Sequence, residues 1–430
     1  MRDKQVDIVK NISTFKQNLL AWSMQFDDVV WLDSNNHSQK YSNYDAVLAV
    51  DAFTAIQSDY ENAFEKLKEY QSIAKDWIFG YLTYDLKNDV ESLGSNNFDG
   101  LEFPDLYFFQ PKKLFLIKGN RVETLYLKVV QDELENDLKV IRDSGDTYAK
   151  ASKSPVKIKL RIHKDEYFQK VNTMLEHIHR GDVYEANFCQ EFFAENTTIN
   201  PLETYNKLNE ISKPPFATFF RLGDKYLLSA TPERYIKKEG NKVITQPIKG
   251  TAKRSENEIE DKQLKAELAK DEKERSENIM IVDLVRNDLS HTATKGSVKV
   301  EELCKVHTFE QVHQMISTVV SEVEEATNPI DIIKSTFPMG SMTGAPKISA
   351  MQIIESLEET KRGLYSGTVG YVSPKGDFDF NVIIRSILYN ETKQYVSYSV
   401  GGAITSKSIP LKEYEECLIK AKAMREVLEN

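Results

Sequence analysis

Short apolar segments recur along most of the chain, and this repetition restricts the fold more than any other feature of the sequence. They include WIFGYLTYDL, KLFLIKG and RVETLYLKV in the N-terminal third, and GTVGYVSPKGDFDFNVIIRSILYN and QYVSYSVGG near the C-terminus. Their alternation of apolar and polar residues, rich in Val, Ile, Tyr and Phe, is typical of β-strands. ENAFEKLKEYQSIAK and KDEYFQKVNTMLEHIHRGD have the spacing of amphipathic helices. The sequence therefore predicts an α+β fold.

The chain divides into two unequal parts at a polar interruption. The stretch DSGDTYAKASKSP, residues 143–155, is rich in Ser, Lys, Asp and Ala and closes on a proline, which is typical of a linker. We predict an N-terminal domain over 1–150 and a second domain over 156–430. In the second domain the pattern predicts a helix-rich stretch and three further helices, over 256–292, 308–323, 329–335 and 346–359.

The charge and composition of the chain exclude several classes of partner. Its 430 residues carry a formal net charge of −10 at pH 7 without a long Lys/Arg run, which argues against nucleic acid and anionic membranes. No apolar run approaches the roughly 20 residues of a membrane span, and the N-terminus lacks a signal-peptide core. The scattered Cys189, Cys304 and Cys417 form no CxxC pair and are interpreted as free thiols. We expect a cytoplasmic protein.

Two pairs of glutamates have the spacing of a cation site. Glu274 and Glu277 stand three apart in DEKERSENIMIVDLVRNDLS, and Glu413 and Glu416 do the same in SIPLKEYEECLIKAKAMREVL. On a helix each pair projects from one face, and two such pairs could hold one magnesium ion with waters. The alternative is two solvated helix faces. The apolar stripe expected to dock the second helix beside its glutamates is Leu411, Tyr414, Leu418, Ala421 and Leu428.

Two further stretches are suited to binding an anion. In PMGSMTGAPKISAMQ, Thr343 is a predicted N-cap and Pro346 a first-turn proline, which would gather backbone N–H groups and the Ser341 hydroxyl at a helix start. An ordinary capped helix is the alternative. In VIIRSI, Arg385 stands between isoleucines in a predicted strand, where a carboxylate is its natural partner. The next strand ends in Gly401-Gly402, whose bare backbone could approach the same ligand.

A single lysine in TQPIKGTAKRS raises a separate question. Lys249 follows the apolar KVIT and is predicted to lie at the end of a buried strand, where an ammonium group is costly unless it is paired. It could simply extend to water.

These residues, taken together, give the chain a resemblance to the chorismate-utilising enzymes, a family that includes aminodeoxychorismate synthase component I, anthranilate synthase component I and the isochorismate and salicylate synthases. The matching stretches are SATPERYI, QPIKGT, KERSENIMIVDLVRND, VHQMISTV, PMGSMTGAPK, RGLYSGTVGY, VIIRS, GGAI and EYEECLIKA. The first 150 residues resemble the family's N-terminal domain more loosely, in WLDSNN and GYLTYDL. The resemblance implies a large α/β-sandwich of facing antiparallel sheets surrounded by helices.

The resemblance implies a role for Lys249. Anthranilate synthases typically read Pro-Ile-Ala-Gly-Thr, whereas aminodeoxychorismate synthases read Pro-Ile-Lys-Gly-Thr, as residues 247–251 do here. In the implied mechanism Lys249 adds to C2 of chorismate as the C4 hydroxyl leaves with a proton from Glu233. Ammonia then attacks C4 and expels the lysine, which gives 4-amino-4-deoxychorismate.

Other roles are carried over by resemblance in the same way. Glu277 and Glu416 match magnesium ligands, and Glu274 and Glu413 match second members of each pair. The substrate pocket implied by the family consists of Gly250, Thr251, His313, Ser341, Tyr365, Arg385, Gly401 and Gly402. His313 could equally be a packed structural histidine. Asp33 and Ser34 of WLDSNN match a segment that lines a tryptophan pocket in some relatives, although a simple strand and turn is an alternative there.

Departures from the family pattern narrow the choice among the activities found in the family. Glu185 in GDVYEANF stands where relatives often carry Gln, and that block offers no lysine to activate water as the isochorismate and salicylate synthases do. No glutaminase signature is present, so the resemblance implies a separate glutamine amidotransferase subunit that supplies ammonia. Two rivals remain: anthranilate synthase component I, against which Lys249 argues, and a catalytically inactive binding module, against which Lys249, Glu233 and the four glutamates argue together.

Overall fold

The computed structural model describes residues 2–37, 40–143, 156–309 and 312–429. All but the first residue of the predicted linker 143–155 therefore lie outside the described residues. The strands of the described part are β1 (Arg2–Ile8), β2 (Asp28–Asp33), β3 (Ala46–Ser58), β4 (Ile78–Leu82), β5 (Leu106–Lys118), β6 (Arg121–Leu127), β7 (Lys159–Leu160), β8 (Glu185–Ala194), β9 (Phe216–Leu222), β10 (Lys225–Thr231), β11 (Arg234–Glu239), β12 (Lys242–Gln246), β13 (Ile248–Lys253), β14 (Lys299–Thr308), β15 (Val312–Glu322), β16 (Gly344–Ala345), β17 (Thr368–Val372), β18 (Phe378–Asn381), β19 (Ser386–Asn390) and β20 (Tyr395–Thr405).

The helices lie between these strands and flank the sheet. They are α1 (Ile12–Ser23), α2 (Ala63–Ala74), α3 (Lys87–Val90), α4 (Leu134–Asp143), α5 (Lys164–Arg180), α6 (Pro201–Ser212), α7 (Glu258–Lys270), α8 (Glu272–Ser290), α9 (Pro329–Thr336), α10 (Lys347–Leu357) and α11 (Pro410–Glu429). None of these described helices combines the length and apolarity needed to cross a membrane.

The strands form two hydrogen-bonded runs that share β5, and every strand pairing is antiparallel. One run passes from β1 through β6, β5, β3, β2, β9, β10, β19 and β20 to β8. The other passes from β5 through β4, β17, β18, β11, β12 and β15 to β14. The long strands β3 and β5 hold the two runs together, with a register shift between Ala52 and Thr54.

Two cores explain why the sheets face each other. One core joins Phe220 and Leu388 of the first run to Phe79 and Ile236 of the second. The other lies on the outer side of the first run, where residues of α1, α4, α5, α6, α10 and α11 cover it. Residues that alternate along each strand supply opposite faces, so apolar side chains fill both layers. The predicted α+β sandwich of facing antiparallel sheets surrounded by helices is confirmed.

Strands on either side of the predicted domain division pair with each other. Strand β2 pairs with β9, and β4 pairs with β17. The regions 2–143 and 156–429 therefore contribute to the same two sheets.

Three helix predictions were correct and one was wrong. Helices α7 and α8 occupy the predicted stretch 256–292, and α9 and α10 lie within or beside the segments 329–335 and 346–359. The segment 308–323 is instead strand β15 with the end of β14. Its run MISTVV is rich in β-branched residues, which pack well on a pleated sheet, and β15 is buried between β12, β13 and β14.

The predicted apolar stripe of α11 is confirmed at Tyr414, Ala421 and Leu428, which pack against the core, but not at its other two positions. Leu411 and Leu418 are 43% and 38% exposed, while Cys417, Ala421 and Met424 are buried. Cys417 contacts Tyr167 of α5 at 3.5 Å from sulfur to hydroxyl oxygen. The small side chains at 417 and 421 allow close packing, so Glu413 shares the buried face instead of lying beside it.

Candidate functional site

Lys249 lies near the start of β13, which corrects its predicted place at the end of a strand. Strand β12 ends at Gln246 and β13 begins at Ile248. Pro247 separates them because it has no N–H to donate to the ladder, and Gly250 follows with a φ of 90°. The Lys249 side chain is half-buried and makes no hydrogen bond or ion pair with any residue that the structure describes.

Several carboxyl groups lie within electrostatic range of this ammonium. Its positive charge acts on the pKa of five of them, Glu185, Glu233, Glu274, Glu277 and Glu416. Three of these acids come from helices α8 and α11 and two from strands or strand ends. The fold thus brings together residues that are far apart in the sequence.

Glu233 is set apart from the other acids by its burial. It lies between β10 and β11 with 4% of its surface exposed. Burial raises its pKa to about 7, against the hydrogen bond from the Ser341 side chain and the charge of Lys249, which lower it. A carboxyl group with this pKa is available in its protonated form near neutral pH, as proton donation requires.

The two predicted glutamate pairs meet between α8 and α11. Lys273 lies between them, with its Nζ 3.8 Å from both Glu277 Oε1 and Glu413 Oε1. Lys420 Nζ lies 2.7 Å from Glu416 Oε1. We call Glu274, Glu277, Glu413 and Glu416 the acidic cluster.

Two glycines border the acidic cluster and a third does not. A β-carbon on Gly402 would lie 3.6 Å from Glu413 Oε2 and Glu416 Oε1, and one on Gly250 would lie 3.1 Å from Glu274 Oε2. A β-carbon on Gly401 would instead lie 2.3 Å from the Phe188 carbonyl oxygen. Gly250 and Gly402 therefore border the acidic cluster, whereas Gly401 allows β20 to pack against β8.

The acidic cluster has the donor chemistry of a magnesium site. Its donors are carboxylate oxygens, which hard divalent cations prefer, and Glu277 Oε1 is buried without a hydrogen-bond partner. As the described side chains lie, no three acidic, histidine or cysteine residues form a ready metal-binding group. The ammonium groups of Lys273 and Lys420 supply the positive charge in this arrangement. The residues fit a divalent cation.

Arg385 interacts electrostatically with Tyr365 and with Glu416 of the acidic cluster. The sequence predicted Arg385 within a strand, which is wrong. The residue lies in the break between β18 and β19 with a φ of 53°. Its half-buried guanidinium makes no hydrogen bond or ion pair with a described residue, and the charges of Tyr365 and Glu416 act on its pKa. Tyr365 is buried with its hydroxyl 3.6 Å from Cys189 Sγ. A free guanidinium at this position suits a ligand carboxylate.

The loop before α10 differs in detail from the prediction. Thr343 is not an N-cap, since its hydroxyl donates to the carbonyls of Met339 and Gly340 at 3.3 Å. Pro346 occupies the N-cap position and α10 begins at Lys347. Ser341 lies in the tight turn that precedes them and its side chain hydrogen-bonds Glu233. The turn thus positions Glu233 through Ser341, and anion binding at the start of α10 stays a prediction.

Two of the predicted pocket residues have other surroundings. His313 is 1% exposed, and its ring nitrogens lie 3.1 Å from Thr308 Oγ1 and 3.0 Å from Asp261 Oδ1. These contacts are those of a packed structural histidine. Thr251 is exposed on β13.

Asp33 and Ser34 line a separate cavity of about 550 Å³. Asp33 Oδ1 lies 2.6 Å from Lys16 Nζ, and burial raises the pKa of this carboxyl. Ser34 Oγ is buried without a hydrogen-bond partner. Arg234 lines this cavity and also the cleft of about 360 Å³ that contains Glu233 and Ser341.

Sequence reasoning missed the two lysines that pair with the acidic cluster, Lys273 and Lys420, and the surroundings of Glu185. Lys273 stands four residues before Glu277 and contacts it, a helical spacing that could have indicated the pair. Lys420 stands four residues after Glu416 and pairs with it in the same way. Nothing local to Glu185 indicates its surroundings, because they come from distant segments.

Known proteins resemble this chain over most of its length. The family described as chorismate binding enzyme matches residues 27–426. An anthranilate synthase component I-like protein of Synechocystis sp. is 34% identical over 370 residues, which cover 86% of this chain and 76% of that protein. Aminodeoxychorismate synthase component 1 of Bacillus subtilis is 33% identical over 369 residues, which cover 81% of this chain and 76% of that protein.

A solved structure agrees with the fold. The crystal structure of anthranilate synthase component I from Streptococcus pneumoniae superposes with a TM-score of 0.80 and 26% sequence identity, covering 90% of this chain and 93% of that one. The named relatives thus divide between two activities at almost equal identity.

Proposed function

This chain belongs to the family of chorismate binding enzymes, and from that membership we propose that it is an aminodeoxychorismate synthase component 1. The reaction would convert chorismate and ammonia to 4-amino-4-deoxychorismate and water. The observation that carries the proposal is Lys249, a half-buried lysine without a bonding partner among the described residues, whose charge acts on several nearby carboxyl groups. Such an amine is placed to act as a nucleophile rather than as part of an ion pair.

The first step uses Lys249 and Glu233 together. The Lys249 amine, in its neutral form, forms a bond to C2 of chorismate while the C4 hydroxyl leaves. Glu233 gives that hydroxyl its proton, so water departs. The buried carboxyl, with its pKa of about 7, is protonated in a substantial fraction of molecules near neutral pH.

The second step reverses the attachment to lysine. Ammonia forms a bond to C4, the bond from Lys249 to C2 breaks, and the lysine is released as the amine. The free guanidinium of Arg385 and the hydroxyl of Tyr365 would hold a substrate carboxylate during both steps. Backbone next to Gly250 and Gly402 borders the acidic cluster without side chains in the way.

Magnesium is the cofactor that we propose for the acidic cluster. Glu277 and Glu416 would hold it directly, and Glu274 and Glu413 would hold it through water. When bound, the ion would neutralise the negative charge of a substrate carboxylate beside these glutamates.

Two partners belong to the proposal. Ammonia would come from a separate glutamine amidotransferase subunit. Tryptophan remains a predicted ligand of the cavity at Asp33 and Ser34, where the buried Ser34 hydroxyl lacks a partner. A tryptophan amine would compete there with Lys16 for Asp33, because Lys16 already pairs with this carboxylate.

Anthranilate synthase component 1 is the second candidate. The relatives of Aquifex aeolicus and Thermus thermophilus with that name are 33% and 32% identical to this chain. The amine at position 249 favours the first candidate, since anthranilate synthases resemble this segment but typically carry alanine there.

The purified chain incubated with chorismate, magnesium and ammonium, with products followed by mass spectrometry, tests the proposal. We expect aminodeoxychorismate from the wild type and, from Lys249→Ala, a loss of this product or its replacement by another chorismate product. Lys253→Ala removes an amine from the same strand at a position outside the proposed site, and should leave the product unchanged. Anthranilate and pyruvate from the wild type would establish the second candidate instead.

A further inference from the structure

Arg362 is a buried arginine that the proposed reaction does not use. It is 5% exposed and lies just after α10, which ends at Leu357. Two of its N–H groups donate to one carboxylate, from Nε to Glu358 Oε2 at 2.9 Å and from Nη2 to Glu358 Oε1 at 2.7 Å. A buried ion pair is weak evidence for stability, because the cost of removing both charges from water can exceed their attraction. The other contacts of the guanidinium are therefore the informative feature.

The same guanidinium joins two segments of the site. Its Nη1 donates to the Met342 carbonyl oxygen at 2.6 Å, and its Nη2 donates to the Asn187 carbonyl oxygen at 2.9 Å. Met342 belongs to the turn that contains Ser341, and Asn187 belongs to β8. Asn187 Nδ2 donates in turn to the Ser341 carbonyl oxygen at 2.8 Å. Side chains from both directions thus hold the Ser341 turn against β8.

All five N–H donors of Arg362 have an acceptor. The four bonds above leave one donor, and Nη1 lies 3.5 Å from Ser366 Oγ, which accepts it. A guanidinium presents its five donors in fixed directions in one plane, whereas the ammonium of lysine places three donors at a single point. A lysine at this position would keep the charge beside Glu358 but would not reach both backbone carbonyl groups.

Residues of the N-terminal region enclose the arginine. The centroid of the Tyr84 ring lies 4.5 Å from Arg362 Cζ. The Tyr84 N–H donates to the Gly363 carbonyl oxygen at 2.8 Å, and the Gly363 N–H donates to Asp85 Oδ2 at 2.8 Å. The position of the guanidinium is therefore fixed from both parts of the chain.

We propose that Arg362 is a positioning residue, which holds the Ser341 turn against β8 so that the Ser341 hydroxyl keeps its hydrogen bond to Glu233. This inference rests on the reaction proposed above, in which Glu233 is the proton donor. The groups that face Glu233 are the Ser341 hydroxyl, the Ile248 backbone and, among charged side chains, Lys249, Arg234 and Asp288. The Ser341 bond is the one that depends on Arg362. Because this bond lowers the pKa of Glu233, its loss would raise that pKa.

The pH profile of kcat in Arg362→Lys tests the proposal. We expect the alkaline fall in rate, which lies at about pH 7 in the wild type, to move up by about one pH unit, as for the loss of one hydrogen bond to a charged group. Ser341→Ala should move it equally, and the two substitutions together should move it no further, because they remove the same bond. Loss of folded protein alone would lower the rate without moving the profile, and the thermal midpoint measures that loss separately.

A second variant covers the case in which Arg362→Lys does not fold. Arg362→Met combined with Glu358→Gln removes both charges and keeps an acceptor for the Cys189 N–H, which donates to Glu358 Oε1 at 2.8 Å in the wild type. Buried pairs that are replaced as a whole are often tolerated, and the profile should move in the same direction. A folded variant with an unmoved profile would overturn the proposal. Shifts that add when Arg362→Lys is combined with Ser341→Ala would overturn it as well.

Arg161→Lys is the matched control. Arg161 also pairs with a glutamate, since its Nε and Nη2 donate to Glu191 Oε2 of β8 at 3.0 Å and 2.9 Å, and its Nη2 donates to the Tyr395 hydroxyl at 2.8 Å. This substitution should lower the thermal midpoint and leave the pH profile unmoved. A wild type that makes no aminated product from chorismate and ammonium contradicts the proposed function and removes the basis of this inference. An active wild type whose profile does not respond to residue 362 contradicts the positioning role alone.

Discussion

Glu233 and Lys249 show how burial and charge act together within one site. The carboxyl of Glu233 is withdrawn from water, which raises its pKa, and the nearby ammonium opposes this shift. The resulting pKa of about 7 is higher than that of a surface glutamate. The proposed chemistry needs this balance, since Glu233 must hold a proton near neutral pH and still give it up.

We predict that the pH profile of kcat will report Glu233. Because the protonated form is the donor, the wild-type rate should fall as the pH rises through about 7, the pKa of this group. In Glu233→Gln the rate should fall about 100-fold or more, and the residual rate should lose this dependence on pH. A stopped-flow or coupled assay over a pH series measures both.

The pH dependence of stability, measured for the wild type and for Glu233→Gln, provides a control. The folded-state pKa of Glu233, about 7, lies above the ordinary value of 4.5 for a glutamate, so between these values the folded chain binds more protons than the unfolded chain. The contribution of Glu233 to stability is therefore complete below about pH 4.5 and is lost as the pH rises through about 7. Glu233→Gln should remove that part of the dependence in denaturant titrations. Identical pH dependence of activity in both proteins would show that another group supplies the proton.

Residue types and spacing predicted much of the site but not its connections. The helical spacing of Glu274 with Glu277 and of Glu413 with Glu416 follows from sequence alone, and the structure brings the two pairs together. The setting of Arg385 did not follow, because alternation implied a strand whereas a residue with positive φ interrupts it. Neither carboxylate oxygen of Glu185 has a hydrogen-bond partner among the described residues, and this setting depends on β16 and β20, which no local pattern reveals.

Gly401 and Gly402 lie within β20 and not at its end, as the sequence had suggested, and each is needed for a different structural reason. The position of Gly401 is closed by the backbone of Phe188 on β8, whereas the position of Gly402 opens towards the acidic cluster. Neighbouring residues on a strand face opposite sides, so this difference follows from the pleat.

We predict that alanine affects a different property at each of these two positions, stability at 401 and magnesium binding at 402. Gly401→Ala should lower the free energy of unfolding by about 1–3 kcal/mol, because its methyl group forces β20 away from β8. Gly402→Ala places its methyl group at ordinary contact distance from Glu413 and Glu416, so its stability should stay near that of the wild type. Its effect should instead be a higher magnesium concentration for half-maximal rate. Urea denaturation and magnesium titration distinguish the two, and equal destabilisation by both would contradict this account.

The elements that the sequence predicted well are those with clear local periodicity. Helices α2, α7, α8 and α10 follow from apolar spacing and flanking breakers. The segment 308–323 was misread because a short apolar run is compatible with either helix or strand, and only its partners β12, β13 and β14 determine the outcome. The docking face of α11 was predicted in part: Ala421 and Leu428 are buried as expected, whereas Cys417 and Met424 take the places expected for Leu411 and Leu418.

The pairing of β2 with β9 and of β4 with β17 unites the two ends of the chain at the scale of the molecule. Phe220 and Val369, on the C-terminal partners of these pairs, are fully or almost fully buried. Loss of the N-terminal region would expose this apolar surface and leave the strand edges unpaired.

We therefore predict that residues 156–430 alone will not fold cooperatively. Expressed by itself, this fragment should lack near-UV circular dichroism and a sharp thermal transition, whereas co-expression with residues 1–150 should restore both. The intact chain should unfold in a single calorimetric transition. A cooperative transition in the isolated fragment would mean that the predicted division at 143–155 separates independent folding units.

The first run of strands begins at β1 and the second ends at β14, and an open strand can recruit another chain. Strand β1 reads RDKQVDI, and β14 carries Lys299, Glu301, Glu302 and Lys305. Several of these charges are already held in place, as Glu301 is by Lys40 and Lys242. An incoming strand would have to strip water from ions of both signs at either border. The extended sheet therefore discourages its own continuation from one molecule into the next, which opposes fibrillar aggregation at high protein concentration.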